Sequence, residues 1–291
     1  MTRPTPANEF RRIKRVLLAV CSLSAGTSAF AADTPPLPAH IEGVGSPTVI
    51  LASGLGDTLD VWADIQPAIA ANCARTFAYN RAGYTGSPPA NGPRDAATVV
   101  GELRSELEGR GILPPYVLVG HSLGGLYMQY FAREFADDVT GLLLVDSTHW
   151  NQQLPADLGA ASAYGQRVVF LYMPLITRRE LADSVRAGEQ VHASLPARRL
   201  PTIVLSSTQA LRGETPASRL AAARLQEEIA ADFPAAVHVR VEGSGHYIHR
   251  DRPEVVINSA RELAGCGPIG STGTTQLATR RSTPAAPRND S

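Results

Sequence analysis

Tyr116-Val-Leu-Val-Gly-His-Ser-Leu-Gly-Gly125 is the stretch that decides how this chain is read. Tyr116–Val119 is an unbroken apolar run, as expected of a parallel strand covered on both faces. Gly120-His121-Ser122-Leu123-Gly124-Gly125 then fits G-x-S-x-G, and Tyr127, Tyr130 and Phe131 follow at helical spacing. A sharp strand-to-helix turn leaves no room for side chains beside the serine, which explains the flanking glycines. The turn lifts the Ser122 hydroxyl above the sheet edge and puts the Leu123 N–H at a helix start. The plainer reading is a glycine-rich turn with an incidental serine. The strand before it and the helix after it argue against that.

Working outward, Thr48–Ser53, Thr76–Tyr79, Gly141–Val145, Thr202–Leu205 and Val237–Val241 read as further strands. Helical spacing links Trp62, Ile65 and Ile69, then Val99, Leu103 and Leu107, and less regularly Leu220, Leu225 and Ile229. Val255–Leu263 makes a last helix, with Pro253 near its start, where proline is tolerated. Alternating β and α units predict an α/β fold with a doubly wound, mostly parallel sheet. Residues 149–200 separate two strands by far more than a usual connection and carry apolar and charged helical stretches, an inserted helical cap. From Gly267 to Ser291 the chain is poor in large apolar residues and is expected to stay disordered.

Composition narrows the class. The 291 residues are 44% hydrophobic and 19% charged, with 27 basic and 27 acidic side chains. These are ordinary values for a globular enzyme, and they give no basic face for a nucleic-acid partner. Arg3, Arg11, Arg12, Lys14 and Arg15 precede the apolar run Val16–Ala29, which ends in Ala29-Phe30-Ala31. A basic start, a short apolar run and a small-x-small site describe a secretory signal peptide over residues 1–31. The run is short for a membrane span, which needs about 20 residues, although a retained N-terminal anchor is the alternative. Cys21 is no lipoprotein site, because Val20 stands where a small residue is wanted. Cleavage after Ala31 would leave 22 basic and 26 acidic residues, a net of −4, in an exported domain over residues 32–266. Cys73 and Cys266 would then remain, either bridged or as two unrelated thiols.

Over residues 40 to 265 the sequence resembles the α/β-hydrolase superfamily. Besides the serine turn, Leu51-Ala-Ser-Gly-Leu-Gly-Asp57 resembles its oxyanion loop, with Ser53 in place of the usual histidine. Asn80-Arg-Ala-Gly-Tyr-Thr-Gly-Ser87 resembles the R-x-G-x-G-x-S turn of esterase-like members. Gly243-Ser-Gly-His246, followed by Arg252-Pro253-Glu254, resembles the loop that carries the catalytic histidine. The resemblance implies a serine nucleophile, Ser122, and a base, His246, in that chain order. Of the seven histidines, His249 is the rival for the base. His121, beside the serine, is expected to point elsewhere, and His238 lies in a strand. His149 and His192 fall at or in the cap, and His40 precedes the core.

The acid is less clear from sequence. Superfamily members usually carry it after the strand that is here Thr202–Leu205, yet no carboxylate follows until Glu214. Asp146 ends the strand Leu142–Val145, where some members carry theirs. Asp146 is therefore the first candidate and Glu214 the alternative. A structural carboxylate at Asp146, or a weak or missing acid, is the other reading.

The resemblance also implies an oxyanion hole from the Leu55 and Leu123 N–H groups, a small-molecule acyl substrate, and no cofactor or metal. The expected activity is hydrolysis of a carboxylic ester or related acyl bond. Acyl transfer, peptidase, lactonase or haloperoxidase-like chemistry on the same triad are alternatives, as is a non-catalytic secreted binding protein. The oligomeric state is not legible. In members of this superfamily the first and last helices cover one face of the sheet, which would bring Cys73 and Cys266 into disulfide range.

Overall fold

In a computed structural model of the chain, residues 35–152, 172–194, 196–210 and 215–267 are described. The expected signal segment, the tail from 268 onward, residues 153–171 of the expected cap, and Glu214 lie outside them. The strands are β1 (Ala39–Glu42), β2 (Thr48–Ala52), β3 (Arg75–Tyr79), β4 (Tyr116–His121), β5 (Val139–Val145), β6 (Thr202–Ser207) and β7 (Ala236–Val241). They form one seven-stranded sheet in the order β1-β3-β2-β4-β5-β6-β7. All neighbours are parallel except β1, which runs antiparallel to β3.

Side chains alternate across the sheet with period two, so each central strand feeds two cores. Ile50, Leu118, Leu142, Leu144 and Val204 enter one, with Val99 and Leu103 of α2 (Ala96–Gly109) and Tyr127 and Phe131 of α3 (Leu123–Glu134). Ala187 and Val191 of α4 (Leu175–Ala193), and Ile229 of α5 (Pro216–Asp232), complete that layer. Val49, Leu51, Val117, Val119, Leu143, Val145 and Leu205 enter the other core. There they meet Ile69 of α1 (Gln66–Ala70), Ile248 of α6 (Ile248–Asp251), and Val256 and Ala260 of α7 (Pro253–Leu263). Burial on both faces explains why these strands read as continuous apolar runs.

Local chemistry fixes the helix starts. Asp95 accepts the Thr98 N–H at 3.0 Å to cap α2, and Thr215 with Ser218 forms a capping box ahead of Pro216 in α5. The helical spacing of Trp62, Ile65 and Ile69 resolves into a 3₁₀ turn, Leu59–Trp62, followed by the short α1. That first helical segment does share a face with α7, and Cys73 is joined to Cys266 with a Cα separation of 5.8 Å. Among the described residues, no helix is long and apolar enough to cross a membrane.

The topology places a crevice. The chain leaves β2 toward β3 on one side and leaves β4 toward β5 on the other, so the order reverses between β2 and β4. Loops at the carboxyl ends of parallel strands diverge at such a point and leave room for a ligand.

Candidate active site

Ser122 stands at that reversal, between β4 and α3, with φ 50° and ψ −123°. A non-glycine residue is strained there, typically by 1–3 kcal/mol. Among the described residues only Asn72, Ser122 and Asp146 are non-glycine with positive φ, so two of the three are candidate site residues. The flanking glycines are required by close approach. A Cβ on Gly120 would lie 2.5 Å from Gly125 Cα, and one on Gly124 would strike the Ala52 and Ser53 carbonyl oxygens. Helix α3 therefore starts against the end of β2, which brings the Leu55 loop beside the serine turn.

Asp146 ends β5 with φ 43°. Its Oδ2 accepts a hydrogen bond from His246 Nδ1 at 2.7 Å, joining residues 100 apart in sequence. The same carboxylate accepts the Ser207 N–H at 2.9 Å and the Ser207 hydroxyl at 3.0 Å. Asp146 thus accepts a backbone N–H at the end of β6 and also meets the histidine. Ser207 occupies the strand end where the superfamily's acid more often lies. Here it serves as a donor to Asp146.

The segment after Asp146 is braced from below. Gln129 Nε2 donates to Ser147 Oγ and the Thr148 carbonyl, both at 3.0 Å, and Gln226 Nε2 donates to the Ser147 carbonyl at 2.7 Å. The Thr148 N–H donates to the Ser122 carbonyl at 3.0 Å, tying this segment to the serine turn.

His246 sits in the loop after β7, its side chain 27% exposed. Beneath it lies His121, whose ring centroid is 4.6 Å from that of His246. His121 Nε2 is 3.1 Å from the His246 carbonyl oxygen, and a carbonyl only accepts, so Nε2 carries the proton. Burial, reinforced by the His246 and His249 rings, holds the His121 pKa well below its usual value and keeps this ring neutral. Its ring is directed at the His246 carbonyl and supports the His246 loop. His249 is 2% exposed and meets the Trp62 ring at a centroid distance of 4.8 Å and a tilt of 39°, and among the described residues neither ring nitrogen has a hydrogen-bond partner. His149 is buried too, its Nδ1 accepting the Asn151 N–H at 3.1 Å. Of the candidates for base, His246 is the one that meets Asp146.

The Leu51–Asp57 loop is pinned at most of its polar atoms. Trp62 Nε1 donates to Ser53 Oγ at 3.0 Å, and that hydroxyl donates to the Thr58 carbonyl at 2.9 Å. Ser53 thus braces the loop where other members carry histidine. The Gly56 N–H donates to Tyr84 Oη at 2.9 Å, and the Asp57 N–H to the Gly54 carbonyl at 3.3 Å. Among the described residues, the Leu55 and Leu123 N–H groups have no intramolecular acceptor. Asp57 itself lies behind the loop, 3.7 Å from His121 Nδ1. Burial raises its pKa against the pull of Arg250 and a Tyr247 hydrogen bond.

Sequence reasoning missed Ser207, Gln129, Asp57 and the buried pair of Arg81 with Glu180 of α4. Arg81 and Tyr84 lay within the quoted Asn80–Ser87 turn, which reads R-x-G-x-x-G-S, its second glycine one place later than in the turn it resembles. Nothing local marks Glu180 or Ser207.

Residues 49–259 match the model of the alpha/beta hydrolase family. The chain is 25% identical over 232 residues to the uncharacterized protein YqjL of Bacillus subtilis, covering 75% of this chain and 83% of that one. A match at 32% identity to a Hormonema carpetanum protein described as a probable transporter spans 35% of this chain but only 15% of that protein's length. Among solved structures, a hydrolase from Pseudomonas aeruginosa aligns at TM-score 0.58 and 20% identity over 79% of this chain and 94% of its own. The enol-lactonase of Burkholderia xenovorans aligns at 0.56 and 20%, over 79% and 96%. At such identities the structural likeness speaks for the fold, while the family match covers most of the chain. With the parallel sheet and the serine turn at its reversal point, the chain belongs to the alpha/beta hydrolase family.

Proposed function

We propose that this protein is an exported serine hydrolase that cleaves a carboxylic ester or related acyl bond through Ser122, His246 and Asp146. The observation that carries the reading is the 2.7 Å hydrogen bond from His246 Nδ1 to Asp146, beside a serine held at φ 50° on the neighbouring strand end. A serine hydroxyl is a weak nucleophile until a base takes its proton, and an imidazole oriented by a carboxylate is such a base.

In this mechanism Ser122 Oγ attacks the acyl carbonyl while His246 Nε2 takes the hydroxyl proton. The carbonyl's electron pair moves onto its oxygen, which the Leu55 and Leu123 N–H groups receive. Asp146 stabilises the imidazolium and holds its tautomer. His246 then protonates the leaving alkoxide, and an acyl-Ser122 ester remains. Water, deprotonated by the same imidazole, attacks that ester and releases the acid and the free serine. Each oxyanion donor typically contributes about 3 kcal/mol.

Export is part of the same reading. The basic and apolar pattern of residues 1–31 supports it, as does the pairing of Cys73 with Cys266, since disulfides persist in oxidising compartments. Peptide mapping of the exported protein without reductant checks that pairing, and two alkylatable thiols would count against export. For the chemistry, the experiment is fluorophosphonate labelling followed by peptide mapping, with turnover of p-nitrophenyl esters of increasing chain length. Stoichiometric label on Ser122 and ester turnover are expected. A protein that neither takes the label nor turns over any ester of the panel would overturn the assignment.

A further inference from the structure

Between the Leu51–Asp57 loop and helix α4 of the cap lies a buried charged cluster that the mechanism above does not use. Arg81, just past the end of β3, is 3% exposed, and Glu180 of α4 is fully buried. The guanidinium meets the carboxylate as a fork, Nε to Oε1 at 2.6 Å and Nη2 to Oε2 at 2.8 Å. Tyr84 donates its hydroxyl proton to the same Oε2 at 2.5 Å. Burial opposes the Arg81 charge, but the Glu180 carboxylate outweighs it and holds the guanidinium protonated. Burial also pushes the Tyr84 phenol up to about 12, which keeps its proton in place.

The remaining protons of this fork go to the loop. Arg81 Nη1 donates to the Ser53 carbonyl at 2.6 Å, and Nη2 to the Gly54 carbonyl at 2.8 Å. Nη2 has two protons, which the Gly54 oxygen and Glu180 Oε2 take, leaving the 3.0 Å contact to Tyr84 Oη as a weaker third. The Gly54 carbonyl and the Leu55 N–H belong to one peptide group, which is planar and trans, so fixing the C=O direction fixes the opposite N–H direction. A cation on the oxygen also polarises the group and makes its N–H a stronger donor. The next peptide, Leu55–Gly56, is fixed at its N–H by Tyr84 Oη at 2.9 Å. Both peptides flanking Leu55 are therefore held by the Arg81, Tyr84 and Glu180 cluster.

We propose that Arg81 is a positioning residue for the reaction: clamped by Glu180 of the cap helix, it aims and polarises the Leu55 N–H through the Gly54–Leu55 peptide. This rests on the reading of Leu55 as an oxyanion donor. It makes α4 a fixed part of the catalytic scaffold, because the loop's geometry is set by a carboxylate that the cap supplies. Lysine cannot replace the arginine, since an ammonium has no planar fork to span two carbonyls and a carboxylate.

The test compares Arg81→Lys and Tyr84→Phe with Arg179→Gln. Arg179 anchors the same helix through the Ala90 and Gly92 carbonyls, at 2.9 and 2.6 Å, without touching the Leu51–Asp57 loop. Each protein is checked for a cooperative thermal transition, then assayed for kcat and KM on one p-nitrophenyl ester. Affinity is measured for a trifluoromethyl ketone, which forms a tetrahedral oxyanion on the serine. The expected result for Arg81→Lys is a kcat lower by roughly ten- to a hundredfold. KM should stay within about twofold and ketone affinity should fall in parallel, for this is a loss in the transition state rather than in substrate binding. Tyr84→Phe should move the same two quantities in the same direction by a smaller factor, and it keeps the idea testable if Arg81→Lys does not fold. Arg179→Gln should lower the melting temperature and leave kcat within twofold.

Folded Arg81→Lys and Tyr84→Phe proteins with wild-type kcat and ketone affinity would overturn the proposal. So would an Arg179→Gln protein that loses as much of both, since cap docking in general would then be the cause. A wild-type protein that takes no fluorophosphonate on Ser122 would instead remove the hydrolase reading beneath it.

Discussion

His246, in the loop after β7, and His249, three residues on in α6, meet opposite surroundings. His246 reaches a carboxylate at 2.7 Å and keeps about a quarter of its side chain open. His249 is packed between Trp62 and His121, with ring centroids at 4.8 and 4.7 Å, and among the described residues neither of its nitrogens has a hydrogen-bond partner. Burial, with Arg250 adding to it, pushes the His249 pKa down to about 3, so this ring is a neutral apolar filler at ordinary pH. One imidazole has a charged partner and an opening to solvent; the other serves as an aromatic wall behind it. The loop and the short helix after it thus set a hydrogen-bonded, partly open imidazole against a closed one.

The sharpest way to break this contrast is to remove the members of the open region. Ser122→Ala and His246→Ala should each lower ester turnover by about a thousandfold or more while the far-ultraviolet spectrum and thermal transition remain. Residual activity well above a thousandth of wild type would place the chemistry elsewhere. Asp146→Asn should follow, with a loss of roughly a hundred- to ten-thousandfold in kcat. Glu214→Gln and His249→Phe should each stay within about threefold. If Glu214→Gln proved the more damaging carboxylate change, the acid role would pass to it.

The closed region is read through stability. Folded His249 titrates near 3 against 6.5 for the unperturbed ring, so between those values the unfolded chain binds the extra proton. Stability therefore rises with pH across that window and is lost as pH falls below 6.5 toward 3. This ring alone should lower stability by about 2 kcal/mol between pH 7 and pH 5. Urea unfolding at the two pH values measures it, and His249→Phe should reduce the difference, leaving the share that buried His121 contributes in the same direction. An unchanged pH dependence in that variant would show the ring to be charged or solvated in the fold.

The smallest effect concerns strain at the serine. Ser122→Gly should be more stable than Ser122→Ala by roughly 1 kcal/mol, since glycine accepts φ 50° and alanine does not. Equal urea midpoints would show the turn to be relaxed.

The parallel strands were legible because strands buried on both faces read as apolar runs, and the serine turn because its glycines are demanded by backbone contact. Strand β1 was not, since Ala-His-Ile-Glu at a sheet edge is half exposed and too short to show a period. The pairing of Asp146 with His246 could be narrowed from strand ends but not fixed, because the partners are 100 residues apart. The Arg81–Glu180 pair, 99 residues apart, leaves no local trace at Glu180, which reads as one more charge on an amphipathic helix. The burial of His249 is equally silent, for its four-residue helix is too brief to reveal which side faces the core.

The Cys73–Cys266 bond, spanning 193 positions, turns most of the molecule into a covalent ring with the first two strands outside it. A single cut anywhere between the two cysteines opens that ring without releasing a piece. The two fragments travel together until a reductant is added, and the sheet keeps both its halves at their original effective concentration. Damage to one peptide bond between the two cysteines would then be survivable in a way that it is not for an unbridged chain.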